Sequence, residues 1–278
     1  MADTRGTAGE QPAPPDRRRS ALRRTVPVAA PLLVGLAVLA AWEAAVWYFQ
    51  TPPYLLPAPS AIGEKIQQNA GRLASAWLVT FGTMAVALAA AVLLGVALAV
   101  VFVTSRVVEL SLFPYAVVLQ VTPLIAIAPL LVIWLDNPWW VRLVCAWIVA
   151  FYPILSGTVV GLRSADAGLR DLFRLYGAGP WQRVRLLLAP SALPYFLAGL
   201  RVSVNLALVG AVVAEFVTGT GTDSTGLASL VFEGQETMDV GLTFAALGVI
   251  SATGVLIYFA THLTSGWLLA GWHDSSDV

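Results

Sequence analysis

SADAGLRDLFRLYGAGPWQRVRLLLAPSALP, residues 164–194, is the one long polar interruption in the apolar half of this chain, and its charges are mostly arginine. Asp166 can cap a helix in which Leu169, Leu172, Phe173 and Tyr176 follow at three, four and seven residues, one apolar stripe. Arg170, Asp171 and Arg174 fall on its other faces. Gly177 or Gly179 can end that helix, and Pro180 suits the first turn of a second one carrying Trp181, Val184, Leu187 and Leu188. Pro190 and Pro194 then lead into the next apolar run. Amphipathic helices strung between hydrophobic spans make a docking surface for a soluble partner.

Working outward from that stretch, the rest of the chain is built for lipid. Hydrophobic residues make up 58% of it, charged ones only 12%, and mean hydropathy is +0.78, too little polar surface to cover a soluble globule. A helix needs about 20 mainly apolar residues to cross the hydrocarbon core. Six stretches reach that length, 26–49, 76–103, 108–135, 139–162, 195–218 and 240–270. The expected class is therefore an all-α membrane protein of about six transmembrane helices, with a tail at 1–25, a membrane domain at 26–271 and a short tail at 272–278. The first apolar run is longer than the roughly 7–15 residues of a signal-peptide core, so it reads as a span.

Charge fixes the expected orientation. With the N-terminus in the cytoplasm, Arg5, Arg17, Arg18, Arg19, Arg23, Arg24, Arg106, Arg163, Arg170, Arg174, Arg183 and Arg185 all lie inside, leaving Lys65, Arg72 and Arg142 outside. Residues 219–239 hold Asp223, Glu233, Glu236 and Asp239 without a Lys or Arg, as an outer segment should. Both termini and the 164–194 loop are then cytoplasmic, in a multi-pass plasma or inner membrane protein.

Inside the spans, Pro114, Pro123 and Pro129 punctuate the third. Each removes a backbone donor, and the freed carbonyls must face protein or a watery cavity. Gln120, Thr122, Tyr152, Ser156, Asn205 and Glu215 are the candidate polar groups of a translocation pathway. Glu43, Arg201 and Glu215 carry charge within or at the edge of spans and need partners or water. Ala85, Ala89, Gly95 and Ala99, and the pair Gly157 and Gly161, leave grooves for close helix packing. Between the first two spans, Ser60 can cap a helix with Ile62, Ile66, Ala70 and Leu73 on one face.

Several chemistries are excluded. The lone Cys145 gives no disulfide framework or thiolate cluster. His262 and His273 are too far apart to suggest a metal site, and no Ser-His-Asp set can be assembled. A P-loop must end in Gly-Lys-Ser/Thr, whereas the one lysine, Lys65, sits in Gly-Glu-Lys-Ile. Trp42, Trp47, Tyr48, Trp77, Trp139, Trp140, Trp267 and Trp272 gather near span ends, where aromatic belts form.

The run Asp171-Leu-Phe-x-x-x-Gly177, followed by Leu187 and Pro190, resembles the EAA loop of binding-protein-dependent ABC importer permeases. It differs from the family pattern in having Asp171 for Glu and Leu172-Phe173 for two alanines. Residues 56–61 (LPAPSA), 126–130 (AIAPL) with Trp134, 151–154 (FYPI), 198–201 (AGLR) and 210–216 (GAVVAEF) are similar to the nitrate, sulfonate and taurine branch of those permeases. The resemblance implies a type I importer fold and a loop whose coupling helix inserts into an ATPase subunit. Asp166, Leu169, Arg170, Asp171, Phe173, Arg174, Tyr176, Gly177, Ala178 and Trp181 are then the coupling residues. It further implies a second permease copy, an external substrate-binding protein, lipid contact and no nucleic acid. No cofactor is expected on this chain, since ATP and Mg would belong to the ATPase. Substrates in that group are small sulfonates, nitrate and heteroaromatic vitamin precursors, and the 126–130 variant leans to the last. The competing class is a proton-coupled secondary transporter working through Glu43 or Glu215, for which the sequence offers no inverted repeat.

Overall fold

A computed structural model describes residues 17–219 and 225–269. Every regular element among them is helical: α1 (Arg17–Tyr48), α2 (Pro59–Gln68), α3 (Ala70–Thr104), α4 (Arg106–Val121), α5 (Leu124–Leu135), α6 (Pro138–Arg163), α7 (Ala167–Leu175), α8 (Pro180–Arg183), a π-helical turn (Val184–Leu188), α9 (Ala189–Thr218), α10 (Leu227–Glu236) and α11 (Val240–Leu269). α1 begins at Arg17, inside the stretch read as a tail, while residues 1–16 and 270–278, with Trp272 and His273, lie outside the description.

The chain divides after Ser60 into two compact units. In the first, the apolar part of α1 is Leu33–Tyr48. Its Glu43 accepts hydrogen bonds from the Ser60 backbone N–H at 3.0 Å and hydroxyl at 2.7 Å. Ser60 therefore does not cap α2, which starts a residue earlier at Pro59. The carboxylate that composition left unpaired takes both of its donors.

The second unit is centred on α6 and α9. A Cβ on Gly157 would stand 2.8 Å from the Tyr195 carbonyl oxygen, and one on Gly161 would stand 2.8 Å from that of Ala192. Glycine is thus what lets these two backbones touch, so this small-residue pair packs within one chain. Ser203 reinforces the crossing by donating its hydroxyl to the Ala150 carbonyl at 2.7 Å. α3 lies against α6 along Ala87, Ala91, Gly95 and Ala99, all buried. The expected Ala85 and Ala89 are exposed, because a stripe through Gly95 and Ala99 continues backward at four-residue steps and places them off it.

Four helical segments among the described residues are long and apolar enough to cross a membrane, 70–104, 138–163, 180–218 and 240–268, with a fifth if α4 and α5 form one span. Those two meet at 101°, so the kinked single rod expected for 108–135 is a sharp corner. Pro123 is its cause: it offers no N–H, and its ring drives Thr122 into an extended conformation (φ −72°, ψ 125°). Pro114 and Pro129, by contrast, lie within α4 and α5. The second helix of the 164–194 stretch is likewise not separate. α8, the π turn and α9 form one rod, and the Ala189 N–H reaches back five residues to Val184. The wider turn makes room for Pro190, whose ring would clash with the carbonyl four residues before it.

At the other end of this unit α10 and α11 form a hairpin against α3. The Thr80 hydroxyl oxygen accepts from the Leu227 N–H at 2.9 Å, and the Trp77 indole donates to Thr253 at 2.9 Å. Trp77 thus packs within the unit, while Trp47 and Trp267 remain about four-fifths exposed. Lys65 pairs with Asp239 at 2.7 Å, and Arg72 with Glu233 at 2.7 Å.

Partial burial would raise the Asp239 carboxyl, but the Lys65 ammonium and the Leu242 N–H outweigh it and hold the group below its ordinary 3.8. A depressed carboxylate stabilises the fold fully above the unfolded value and loses that contribution as pH falls through the folded one. Wild-type protein is therefore expected to melt slightly higher than Asp239→Asn at neutral pH, with the margin closing below pH 3.8. Thermal unfolding of both across that range checks it.

Candidate functional site

The 164–194 stretch folds into a helical corner with both ends pinned. Asp166 Oδ1 accepts from the Leu169 N–H at 3.0 Å, the N-cap expected of it. At the other end Gly177 takes φ +66°. Its N–H donates to Arg174 O at 3.0 Å, and that of Ala178 donates to Phe173 O at 2.9 Å. This pair of bonds defines a Schellman stop, which needs a left-handed residue where Gly177 stands. Gly179 then opens α8, its N–H donating to Gln182 Oε1 at 2.8 Å.

Between these stops α7 is strongly amphipathic, yet its apolar side stays largely uncovered. Leu169 and Leu172 are nearly half exposed, Leu175 and Tyr176 more than four-fifths, and Trp181 at 72%. Phe173 and Ala178 are half-buried. With Leu172, Tyr176, Gln182 and Leu186 they line a hollow of about 330 Å³. A contiguous patch of this kind, rimmed by charge, marks an interaction surface. Leu175 and Leu186 are additions that the stripe of residues 169, 172, 173 and 176 did not include.

The arginines divide their tasks. Arg174 reaches Asp171 at 3.4 Å, with both side chains 69% exposed, a surface pair of little energetic weight. Arg170 instead turns inward and donates to the Arg163 carbonyl at 2.6 Å and the Leu162 carbonyl at 3.4 Å. Those are carbonyls at the end of α6 that no further turn of helix can satisfy. Arg170, Arg174 and Arg183 also line a cavity of about 340 Å³ floored by Leu162, Leu187 and Leu188.

The six pathway candidates are spread over α4, the α4–α5 corner, α6 and α9. Gln120 is exposed on the last turn of α4, and Thr122 sits at the corner, its hydroxyl donating to Val118 O at 2.6 Å. Tyr152 and Ser156 are one turn apart on α6 and half-buried, the Tyr152 ring 6.2 Å from Phe113 of α4. Asn205, on α9, donates to the Arg201 carbonyl at 3.2 Å, and the Arg201 Nε is buried without a partner. Glu215 stands apart from the rest. It is fully buried and accepts from the Ala228 N–H at 3.0 Å, so it caps α10 from another helix. The positive charge of Arg142 interacts with it. Arg142, expected on the outer side, is itself 1% exposed at the start of the second turn of α6. Gly226 lies flat against the Glu215 carboxylate where no side chain would fit. Among the described residues no group of His, Cys, Asp or Glu is arranged to hold a metal.

Residues 91–268 match the family described as binding-protein-dependent transport system inner membrane component. The chain is 30% identical over 239 residues to a probable ABC transporter permease protein of Haemophilus influenzae, covering 86% of this chain and 94% of that one. It is 32% identical over 245 residues to the riboflavin transport system permease protein of Chloroflexus aurantiacus, covering 86% and 88%. It is also 30% identical over 240 residues to the formylaminopyrimidine transport permease protein of Halalkalibacterium halodurans, covering 86% and 94%. A solved structure, the crystal structure of an amino acid ABC transporter with histidines, superimposes with a TM-score of 0.57 at 18% identity, over 75% of this chain and 95% of that chain, and shares its fold. Permeases of this family work with an ATPase and a binding protein, so transport driven by a proton gradient through this chain alone falls away. The chain belongs to the binding-protein-dependent inner membrane permeases and is a non-catalytic, multi-pass membrane subunit of an ABC importer.

Proposed function

We propose that two copies of this chain form the membrane core of an importer for a small heteroaromatic vitamin precursor, with α7 and α8 seated on a cytoplasmic ATPase. The observation that carries the docking half is the uncovered apolar corner, Leu172, Leu175, Tyr176 and Trp181 around a ready-made hollow. Left in water it would be a liability, and burial of such side chains is worth about 1.5–3 kcal/mol each. ATP and Mg belong to the partner, and both termini lie on the ATPase side.

The substrate half rests on the relatives. Those named for riboflavin and formylaminopyrimidine transport are 32% and 30% identical over 86% of the chain. Those named for aliphatic sulfonates, taurine and nitrate are 27%, 26% and 25% identical over 63–74%. The test is ATP hydrolysis and uptake in proteoliposomes holding permease, ATPase and the cognate binding protein. Pyrimidine or flavin ligands are expected to stimulate both, and taurine and nitrate are not. Stimulation by taurine or nitrate alone would overturn the assignment.

A further inference from the structure

Glu109 lies in the first turn of α4 with only a tenth of its side chain exposed, and both carboxylate oxygens are engaged. Arg163 grips it with two prongs, Nη1 to Oε1 at 2.9 Å and Nη2 to Oε2 at 2.6 Å. Arg106 adds a third bond to Oε2 at 2.7 Å. Arg163 is the last residue of α6, and its carbonyl is the one that Arg170 of α7 holds at 2.6 Å. A continuous line of charge-assisted bonds therefore joins the exposed helix α7, through the end of α6, to the base of α4.

We propose that Glu109, Arg163 and Arg170 form the mechanical link by which a displacement of α7 is passed to the bent α4–α5 pair, making all three positioning residues of the transport cycle. This rests on the reading that α7 is seated on the ATPase. A forked arginine–carboxylate pair fixes orientation as well as distance, which a point-charge contact does not. The Glu109 carboxylate, with a tenth of its side chain exposed, cannot readily trade these bonds for water even though the Arg163 side chain is 42% exposed, which stiffens the junction from the α4 side. Glu109 stands at one end of α4 and the corner at residues 122–123 at the other, about 20 Å away at 1.5 Å per residue. A small tilt imposed at the base becomes a larger shift at the corner, beside Gln120 and Thr122. Phe113 is the fulcrum, its ring 6.2 Å from both Phe102 of α3 and Tyr152 of α6. Arg106 pairs with the same carboxylate but lies on α4 itself and is 69% exposed, so it transmits nothing between helices.

The test uses the assembled transporter in proteoliposomes, comparing Glu109→Gln, Arg163→Gln, their double variant, Arg163→Lys and Arg106→Gln. Uptake per ATP hydrolysed is expected to fall at least fivefold in each Gln variant of the Glu109–Arg163 pair. The double variant should be no worse than either single one, as for two ends of one link. Arg163→Lys, which keeps the charge without the fork, should fall between them and wild type, and Arg106→Gln should stay within twofold. A cysteine at position 175 should still cross-link to the ATPase in Glu109→Gln, separating a broken link from a lost docking site. Unchanged uptake per ATP overturns the proposal. So does a parallel loss of uptake, hydrolysis and thermal stability, which marks a pair that only holds the fold. If the Gln variants do not assemble, Arg163→Lys decides alone, and a wild-type ratio there overturns the link.

Discussion

Gly177→Glu is expected to lower uptake at least tenfold while leaving membrane insertion and permease levels as they are. Gly177 sits at φ +66° with open space where a Cβ would stand, so the substitution meets no clash within the chain. The cost is conformational: a left-handed non-glycine residue costs about 1–2 kcal/mol, a factor of roughly 5–30 in the population of the corner that depends on it. Glutamate also adds a charged arm to the surface proposed to seat the ATPase. Gly177→Asn, which tolerates this region, is expected to transport close to wild type, and Gly177→Ala to fall between the two. Uptake at matched expression reads the series, and a glutamate variant that transports normally would mean the Schellman stop is irrelevant to coupling.

Gly157→Ala is expected to destabilise the permease and Gly157→Leu to abolish its accumulation, whereas Gly82→Ala should be neutral or stabilising. All three change a glycine inside a helix, so intrinsic propensity favours alanine at each by about 1 kcal/mol. Packing reverses the sign at Gly157, where the new methyl would meet the Tyr195 carbonyl oxygen at 2.8 Å and the Gly199 backbone at 3.4 Å. Neither can turn aside as a side chain would. Overpacking costs about 1–3 kcal/mol for modest insertions, and a leucine must part α6 from α9 altogether. Nothing stands within 4 Å of a Cβ on Gly82. The thermal midpoint of the purified variants should therefore fall for Gly157→Ala and hold or rise for Gly82→Ala.

The ends of α7 were legible because they depend on local rules. An aspartate three residues before an orphan N–H and a glycine past the last apolar position are chemistry that a sequence displays directly. The spans expected at 76–103, 139–162 and 240–270 were legible for the same reason, since hydrocarbon thickness sets their length. What failed was the geometry that neighbours impose. Three prolines in 108–135 look alike as letters, yet only Pro123 makes a corner, while Pro114 and Pro129 are absorbed into α4 and α5. Ala85 and Ala89 read as packing residues by size alone, but the side of α3 that meets α6 is set by Gly95 and Ala99. Glu109 was missed because its partner in the fold is 54 residues away; the i, i+3 spacing of Arg106 and Glu109 was the one visible trace. For Glu215 the sequence showed a charge in need of a partner or water, but no local pattern announces that it caps a helix 13 residues onward.

The most direct test of the account is a cross-link from α7 to the ATPase. Leu175→Cys places a thiol on a position 84% exposed, and the native Cys145 is fully buried, so the new thiol is the reactive one. In the assembled transporter position 175 is expected to form a covalent adduct with an ATPase carrying a single surface cysteine in its permease-facing cleft, while a cysteine at Leu93 of α3 forms none. A thiol at 175 that yields no ATPase adduct, and is instead labelled from outside intact cells by a membrane-impermeant maleimide, would contradict the account.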